Sequence, residues 1–177
     1  MKKVNILDQI TANDALSILI NLANQDKEYK IKIEQLALEY LEEIDMEDVA
    51  SDVYDCLTFL DVDDLYSSSG SNRYGYVDPN ERAWEMFEEA LESFEKQLKK
   101  YYKLSMFNAA KIYCMGILKG IFMYDKKGES EFADWVTDAP GENFNRILDD
   151  WKKEQKNPAD IAEMEDFIKK NCKGIER

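Results

Sequence analysis

Two arginines and three aromatic residues lie close together in the sequence and could bind an anion. The residues are Arg73, Tyr74, Tyr76, Arg82 and Trp84. A guanidinium group forms paired hydrogen bonds with a carboxylate or phosphate, and aromatic rings stack on planar or cationic groups. The start signal Asp-Pro-Asn-Glu at 78–81 places a helix N-terminus beside them, and its backbone N–H groups attract the same anions. We therefore predict a binding site at these five residues.

The same residues also fit a structural role. In that interpretation Tyr74 and Tyr76 pack beneath their loop, and the two arginines pair with neighbouring carboxylates. The neighbouring carboxylates in the sequence are Asp63, Asp64 and Asp78. The loop, residues 67–78, is long and irregular in its predicted structure, and long loops in compact domains are commonly functional or disordered. The binding interpretation and the structural one therefore both stay open.

Acidic residues occur at spacings that could hold a metal ion, but the necessary partner ligands are missing. Five glutamates lie three or four residues apart: Glu85, Glu88, Glu89, Glu92 and Glu95. Helical di-metal sites combine such glutamates with Glu-x-x-His motifs, and the chain has no histidine. The run 61–66 fails as an EF-hand because Tyr66 occupies the position that requires glycine. We predict solvated glutamates and helix-capping aspartates, with no metal site and no cofactor.

The missing histidine also excludes the most common catalytic groups. The chain has no histidine general base, no histidine ligand for zinc and no Ser-His-Asp or Cys-His nucleophile. An enzyme that uses two carboxylates needs a cleft that holds them about 5–10 Å apart, which a sequence does not reveal. We predict no catalytic residues and a protein that is not an enzyme. The net charge of −14 argues against binding to nucleic acid or to an anionic membrane.

The spacing of apolar residues predicts an all-α fold. Apolar residues recur every three or four positions along almost the whole chain. We expect an irregular bundle or short array of about seven or eight antiparallel helices around a long helical hairpin, residues 79–103 and 105–125. The first of these helices carries a continuous apolar seam: Trp84, Phe87, Leu91, Phe94, Leu98 and Tyr101. We predict one domain, 1–177, with sub-parts at 1–66, 67–125 and 126–177.

Particular apolar faces and two glycines indicate how the helices pack. A first helix ends near Gln25 and has an apolar face formed by Leu16, Leu19, Ile20 and Leu22 or Ala23. A second helix, residues 27–43, is expected to bury one face. The residues of that face are Ile33, Leu36, Ala37, Tyr40 and Leu41. Further along the chain, Gly116 and Gly120 lie four residues apart on a helix that is apolar on most sides. These glycines are either incidental or allow a neighbouring helix to approach closely.

The cysteines and the first residues of the chain favour the cytoplasm. Cys56, Cys114 and Cys172 are few and odd in number and form no Cys-x-x-Cys pair, which is typical of reduced thiols inside cells. Asp8 and Asn13 interrupt the N-terminal apolar residues before the core of a signal peptide could form. We therefore expect a cytoplasmic protein that does not associate with a membrane.

The predicted helix pairs resemble HEAT-like or tetratricopeptide-like arrays in architecture. The run from Ser69 to Pro79, with Glu81 and Trp84, is also similar to a segment of uncharacterised prokaryotic helical proteins. This resemblance covers only that part of the chain. It implies a helical architecture and no particular activity.

We therefore expect a non-enzymatic adaptor that binds a protein or peptide. Residues 1–60 carry five basic and 13 acidic side chains, and this excess of negative charge favours a basic partner. One alternative is a small-ligand binder or carboxylate-based enzyme with a pocket between helices. Another is a homo-oligomeric structural protein, such as a homodimer in which a second copy covers an apolar stripe.

Overall fold

The computed structural model describes residues 5–73, 75–127 and 130–175. Within them lie eight α-helices: α1 (Ala12–Gln25), α2 (Lys27–Glu42), α3 (Met46–Thr58), α4 (Val62–Ser68), α5 (Pro79–Lys103), α6 (Phe107–Lys127), α7 (Ala139–Glu154) and α8 (Pro158–Asn171). Short 3₁₀ helices occupy Ile6–Asp8 and Glu131–Trp135, and two short strands are β1 (Gly70–Asn72) and β2 (Gly75–Val77). The predicted all-α fold is confirmed.

The chain divides into two compact units, Met1–Glu43 and Ile44–Arg177. The boundary falls within the first predicted sub-part, 1–66. In the first unit, α1 and α2 pack against each other across a single connecting residue, Asp26, and we call this pair the N-terminal hairpin. In the second unit, α3 to α8 enclose a core whose largest fully buried side chains include Trp151, Phe87, Phe132 and Phe144.

Side-chain caps fix the starts of several helices, including the helix start that the sequence predicts at 78–81. Thr11 and Asp14 form a reciprocal capping box at α1, and the Asp45 carboxylate accepts hydrogen bonds from two backbone N–H groups at α3. Asp78 does the same at α5, where Pro79 needs no hydrogen-bond acceptor. Asn157 caps α8. Because these signals are local, they are readable from the sequence.

Helix α6 lies at the centre of the second unit, and α3 crosses it at very short distance. A Cβ atom built on Gly116 would lie 2.6 Å from the Val49 Cβ, and one built on Gly120 would lie 2.6 Å from the Ala50 carbonyl oxygen. No side chain fits at either position without movement of α3. The interpretation that these glycines permit close helix approach is confirmed.

Three ion pairs join α8 to α6 and α7 to α5. The Lys111 ammonium on α6 lies 2.7 Å from the Asp160 carboxylate and 2.5 Å from that of Glu163, both on α8. The Arg146 guanidinium on α7 pairs with both oxygens of Glu95 on α5, at 2.6 and 3.1 Å. The carboxylate of Glu95 is therefore held in an ion pair, unlike the solvated role predicted for the five glutamates.

Three details differ from the sequence-based expectation. The segment predicted as an irregular loop contains an antiparallel hairpin, in which Gly70 pairs with Val77 and Asn72 with Gly75. The second long helix begins at Phe107 rather than 105, because Ser105 adopts a left-handed backbone conformation with φ of 58° that ends the preceding turn. In α2, Leu36 and Tyr40 are exposed rather than buried.

The long seam of α5 is largely confirmed as core. Phe87, Leu91, Leu98 and Tyr101 are buried, whereas Trp84 and Phe94 are half-buried. Among the described helices, none combines the length and apolar character needed to cross a membrane.

Candidate functional site

The predicted anion-binding residues lie on and beside the small β-hairpin. Tyr76, on β2, exposes 68% of its surface, so it does not pack beneath the loop. Arg73 is exposed and interacts with another group of the protein. Trp84 is half-buried near the start of α5. Tyr74 lies outside the described residues. The structure therefore places one predicted aromatic residue, Tyr76, fully at the surface.

Arg82 is occupied by interactions within its own unit. Its guanidinium donates hydrogen bonds to both oxygens of Glu89 at 3.0 and 3.2 Å and to Glu85 at 3.1 Å. Its Nε donates to the Ser68 hydroxyl at 3.2 Å. The Arg82 hydrogen bonds lower the pKa of the Glu89 carboxyl below its usual value. The acids that pair with Arg82 therefore lie on α5, one and two turns away, and an incoming anion would compete with them.

The acidic residues form no metal centre within the described parts of the chain. No group of three or more aspartate, glutamate or cysteine side chains there is arranged to hold a metal ion. Asp61 caps α4 through the Asp63 backbone N–H, as the sequence predicts. Glu92 forms an exposed pair with Lys96 at 2.7 Å, the solvated role expected for this face of α5.

The thiol groups are in environments that suppress their reactivity. Burial raises the pKa of Cys172 to about 11, and it raises the pKa of the fully buried Cys114 further. Burial also raises the pKa of the Cys56 thiol, which is partly exposed. Since the thiolate is the nucleophile, these shifts disfavour nucleophilic chemistry at all three cysteines at neutral pH.

A small cavity lies between α5 and α7 in the second unit. Its volume is about 170 Å³, and its apolar walls include Leu98, Ile147 and Trp151. This volume is close to that of an engineered cavity that binds benzene. The Trp151 indole N–H and the Tyr102 hydroxyl have no hydrogen-bond partner among the described residues, and both atoms are buried beneath the surface. Charged side chains also line the cavity: Glu95, Lys99, Asp150, Lys153 and Glu154.

Most of the exposed large hydrophobic side chains among the described residues belong to the N-terminal hairpin. None of the described residues before Ile44 is buried. Ten large hydrophobic side chains of α1 and α2 are exposed: Leu16, Ile18, Leu19, Ile20, Leu22, Tyr29, Ile31, Leu36, Leu38 and Tyr40. Among the described residues of the much longer second unit, only five side chains of this kind are exposed. Exposed apolar surface of this extent is typical of an interaction site.

The arrangement of apolar residues on α1 explains why one neighbouring helix cannot cover them. Successive residues of an α-helix are rotated by about 100° around its axis. By this measure the apolar residues of α1 span an arc of about 200°, which is twice the width of the apolar stripe on an ordinary surface helix. The remaining arc holds only polar residues, with Asn21 near its middle. Contact with α2 leaves Ala15 and Ala23 half-buried and the larger side chains exposed. The periodicity predicts an apolar face on each of these helices, and the prediction that the face of α2 is buried is wrong: Leu36, Ala37 and Tyr40 are exposed.

Comparison with protein-family models, with curated proteins and with solved structures finds no match for this chain.

Proposed function

We propose that this protein is a non-enzymatic adaptor that binds another protein through the N-terminal hairpin. The observation that carries the proposal is the set of ten exposed hydrophobic side chains on α1 and α2. Together they present on the order of 800 Å² of apolar surface, spread over more than one side of the hairpin.

The hairpin offers chemistry suited to recognising a helical partner. Its surface is a pair of packed helices with aliphatic side chains and two tyrosines, Tyr29 and Tyr40, exposed along α2. Apolar side chains of an amphipathic helix fit grooves between helices, and tyrosine is enriched at protein interfaces. The acidic residues around these helices favour a partner with basic residues flanking its apolar stripe.

Replacing three exposed apolar residues should abolish partner capture. The variant Leu16→Gln/Leu36→Gln/Tyr40→Gln removes apolar surface while keeping residues with good helix propensity. The immobilised full chain is incubated with lysate of the organism that encodes it, and the retained proteins are quantified by mass spectrometry. We expect the variant to retain at least about tenfold less of each specific partner.

A second variant distinguishes this surface from the predicted loop site. Arg73→Ala/Tyr74→Ala/Tyr76→Ala removes the side chains around the β-hairpin and leaves α1 and α2 intact. We expect this variant to retain partners as the unmodified chain does. If only this variant loses its partners, the binding site is the loop and not the N-terminal hairpin. If both variants capture partners as well as the unmodified chain does, neither surface is the binding site.

Binding of a small apolar molecule is the second candidate function. It is favoured by the cavity between α5 and α7, which has the volume of a single-ring ligand. It ranks below protein binding because five of the residues that line the cavity are charged, which disfavours an apolar ligand.

A further inference from the structure

We infer that one partner of the N-terminal hairpin is a second copy of the same chain, joined through antiparallel α2 helices. This inference rests on the proposed function and names one occupant of that surface. It follows from two features of α2: a straight apolar seam and a charge pattern that is complementary to itself.

The seam consists of Tyr29, Ile33, Leu36 and Tyr40. The residues are spaced by 4, 3 and 4 positions, which is the repeat that keeps side chains on one side of a helix in coiled-coil packing. Tyr29, Leu36 and Tyr40 expose 52, 56 and 76% of their surfaces. Helices with this repeat pack nearly parallel or antiparallel, and two helical hairpins joined in this way make a four-helix bundle.

The charges of α2 divide along its length. Its first half, residues 27–34, carries three lysines, Lys27, Lys30 and Lys32, and two glutamates, whereas its second half carries two glutamates, Glu39 and Glu42, and no lysine. An antiparallel pair related by a two-fold axis therefore places the lysine-rich half of each helix beside the glutamate-rich half of the other. A helix whose two ends attract each other is complementary to a second copy of itself.

The register of the seam makes this complementarity specific. Pairing Tyr29 with Tyr40 and Ile33 with Leu36 across the two-fold axis aligns four layers of apolar side chains. Lys32 and Glu39 lie on the same flank of the seam, seven residues apart. In the antiparallel register Lys32 of each copy faces Glu39 of the other. A parallel pair would instead place Lys32 against Ala37, without a charged partner.

The dimer is tested by analytical ultracentrifugation of the full chain from about 1 to 100 µM. We expect a reversible dimer, and we expect Leu36→Gln/Tyr40→Gln to weaken its Kd by at least about 100-fold. Asn21→Ala is the control, because Asn21 is exposed in the polar arc of α1, outside the seam and outside the ten exposed apolar residues. The control should dimerise like the unmodified chain. Circular dichroism of each variant checks that the hairpin stays helical.

Charge variants test the antiparallel register. Lys32→Glu and Glu39→Lys should each weaken dimerisation about tenfold, because each replaces two attractive contacts with two repulsive ones. An equimolar mixture of the two variants should dimerise as well as the unmodified chain, and so should the double variant Lys32→Glu/Glu39→Lys.

A monomer at every concentration would overturn the inference, as would a dimer that Leu36→Gln/Tyr40→Gln leaves intact. Charge variants that dimerise normally, or a mixture that fails to restore dimerisation, would overturn the antiparallel register. These outcomes are separable from failure of the proposed function, because a monomeric chain that still captures other proteins through α1 and α2 leaves that function standing.

Discussion

Replacing Gly120 with alanine is expected to destabilise the unit Ile44–Arg177 by about 3 kcal/mol. The added methyl group would lie 2.6 Å from both the Ala50 carbonyl oxygen and the Val53 Cβ. The first of these is backbone, so α3 as a whole must move away from α6. This cost exceeds the gain of roughly 1 kcal/mol that alanine brings to a helix interior. Urea denaturation followed by circular dichroism measures the change.

Gly141→Ala provides the matched control for this substitution. Gly141 lies in α7, and the only close neighbour of its added Cβ would be the Ile175 carbonyl oxygen at 3.5 Å, an ordinary contact distance. Alanine there should stabilise the unit by about 0.5–1 kcal/mol through helix propensity. If Gly120→Ala lowered the free energy of unfolding no more than Gly141→Ala does, that result would contradict the close contact between α3 and α6.

Removing both carboxylates that surround Lys111 is expected to cost about 3 kcal/mol. The Lys111 side chain is only 7% exposed, and Asp160→Asn/Glu163→Gln leaves its ammonium buried without a negative charge. Glu92→Gln is the control, because the Glu92–Lys96 pair is more than half exposed on both sides. Its loss should change the free energy of unfolding by less than about 0.5 kcal/mol.

The difference in unfolding free energy between the unmodified chain and the variant Asp160→Asn/Glu163→Gln should change with pH in one direction. Burial alone lowers the pKa of Lys111, but hydrogen bonds to Asp160 and Glu163 outweigh it and raise that pKa above 10.5. At pH values below the pKa that Lys111 has in the unfolded chain, the network therefore makes its full contribution to stability. That contribution is lost as the pH rises through the higher pKa that Lys111 has in the folded chain. In the variant, burial lowers the pKa of Lys111. Loss of its proton at high pH therefore removes the free-energy cost of burying an unpaired ammonium group. The stability gap between the two proteins should narrow as the pH rises toward 10.5 and beyond. A gap that widens would contradict the buried ion pairs.

Helix positions and their caps could be predicted because their causes are local. Thr11, Asp45, Asp78 and Asn157 each satisfy N–H groups within three residues, so the signal is contained in a short window. The β-hairpin was missed for the converse reason. Its strands have three residues each, and positions 73 and 74 hold Arg and Tyr instead of the Asn-Gly pair typical of two-residue hairpin loops.

Long-range partners could not be predicted from the same patterns. Lys111 meets Asp160 49 positions later, and Arg146 meets Glu95 51 positions earlier. With 37 acidic residues available, no local rule selects these two. Helical periodicity identified the apolar faces of α1 and α2 in the same way that it identified the seam of α5. Periodicity does not distinguish a face that becomes buried from one that stays exposed.

Photo-crosslinking from the N-terminal hairpin tests the central claim most directly. The photoreactive residue p-benzoylphenylalanine replaces Leu36 in the exposed apolar surface, and in a control chain it replaces Asn21 in the polar arc of α1. After irradiation in cells, we predict that position 36 gives covalent products larger than one chain and that position 21 gives none. Products of single-chain size from both positions would contradict the claim that the N-terminal hairpin is an interaction surface.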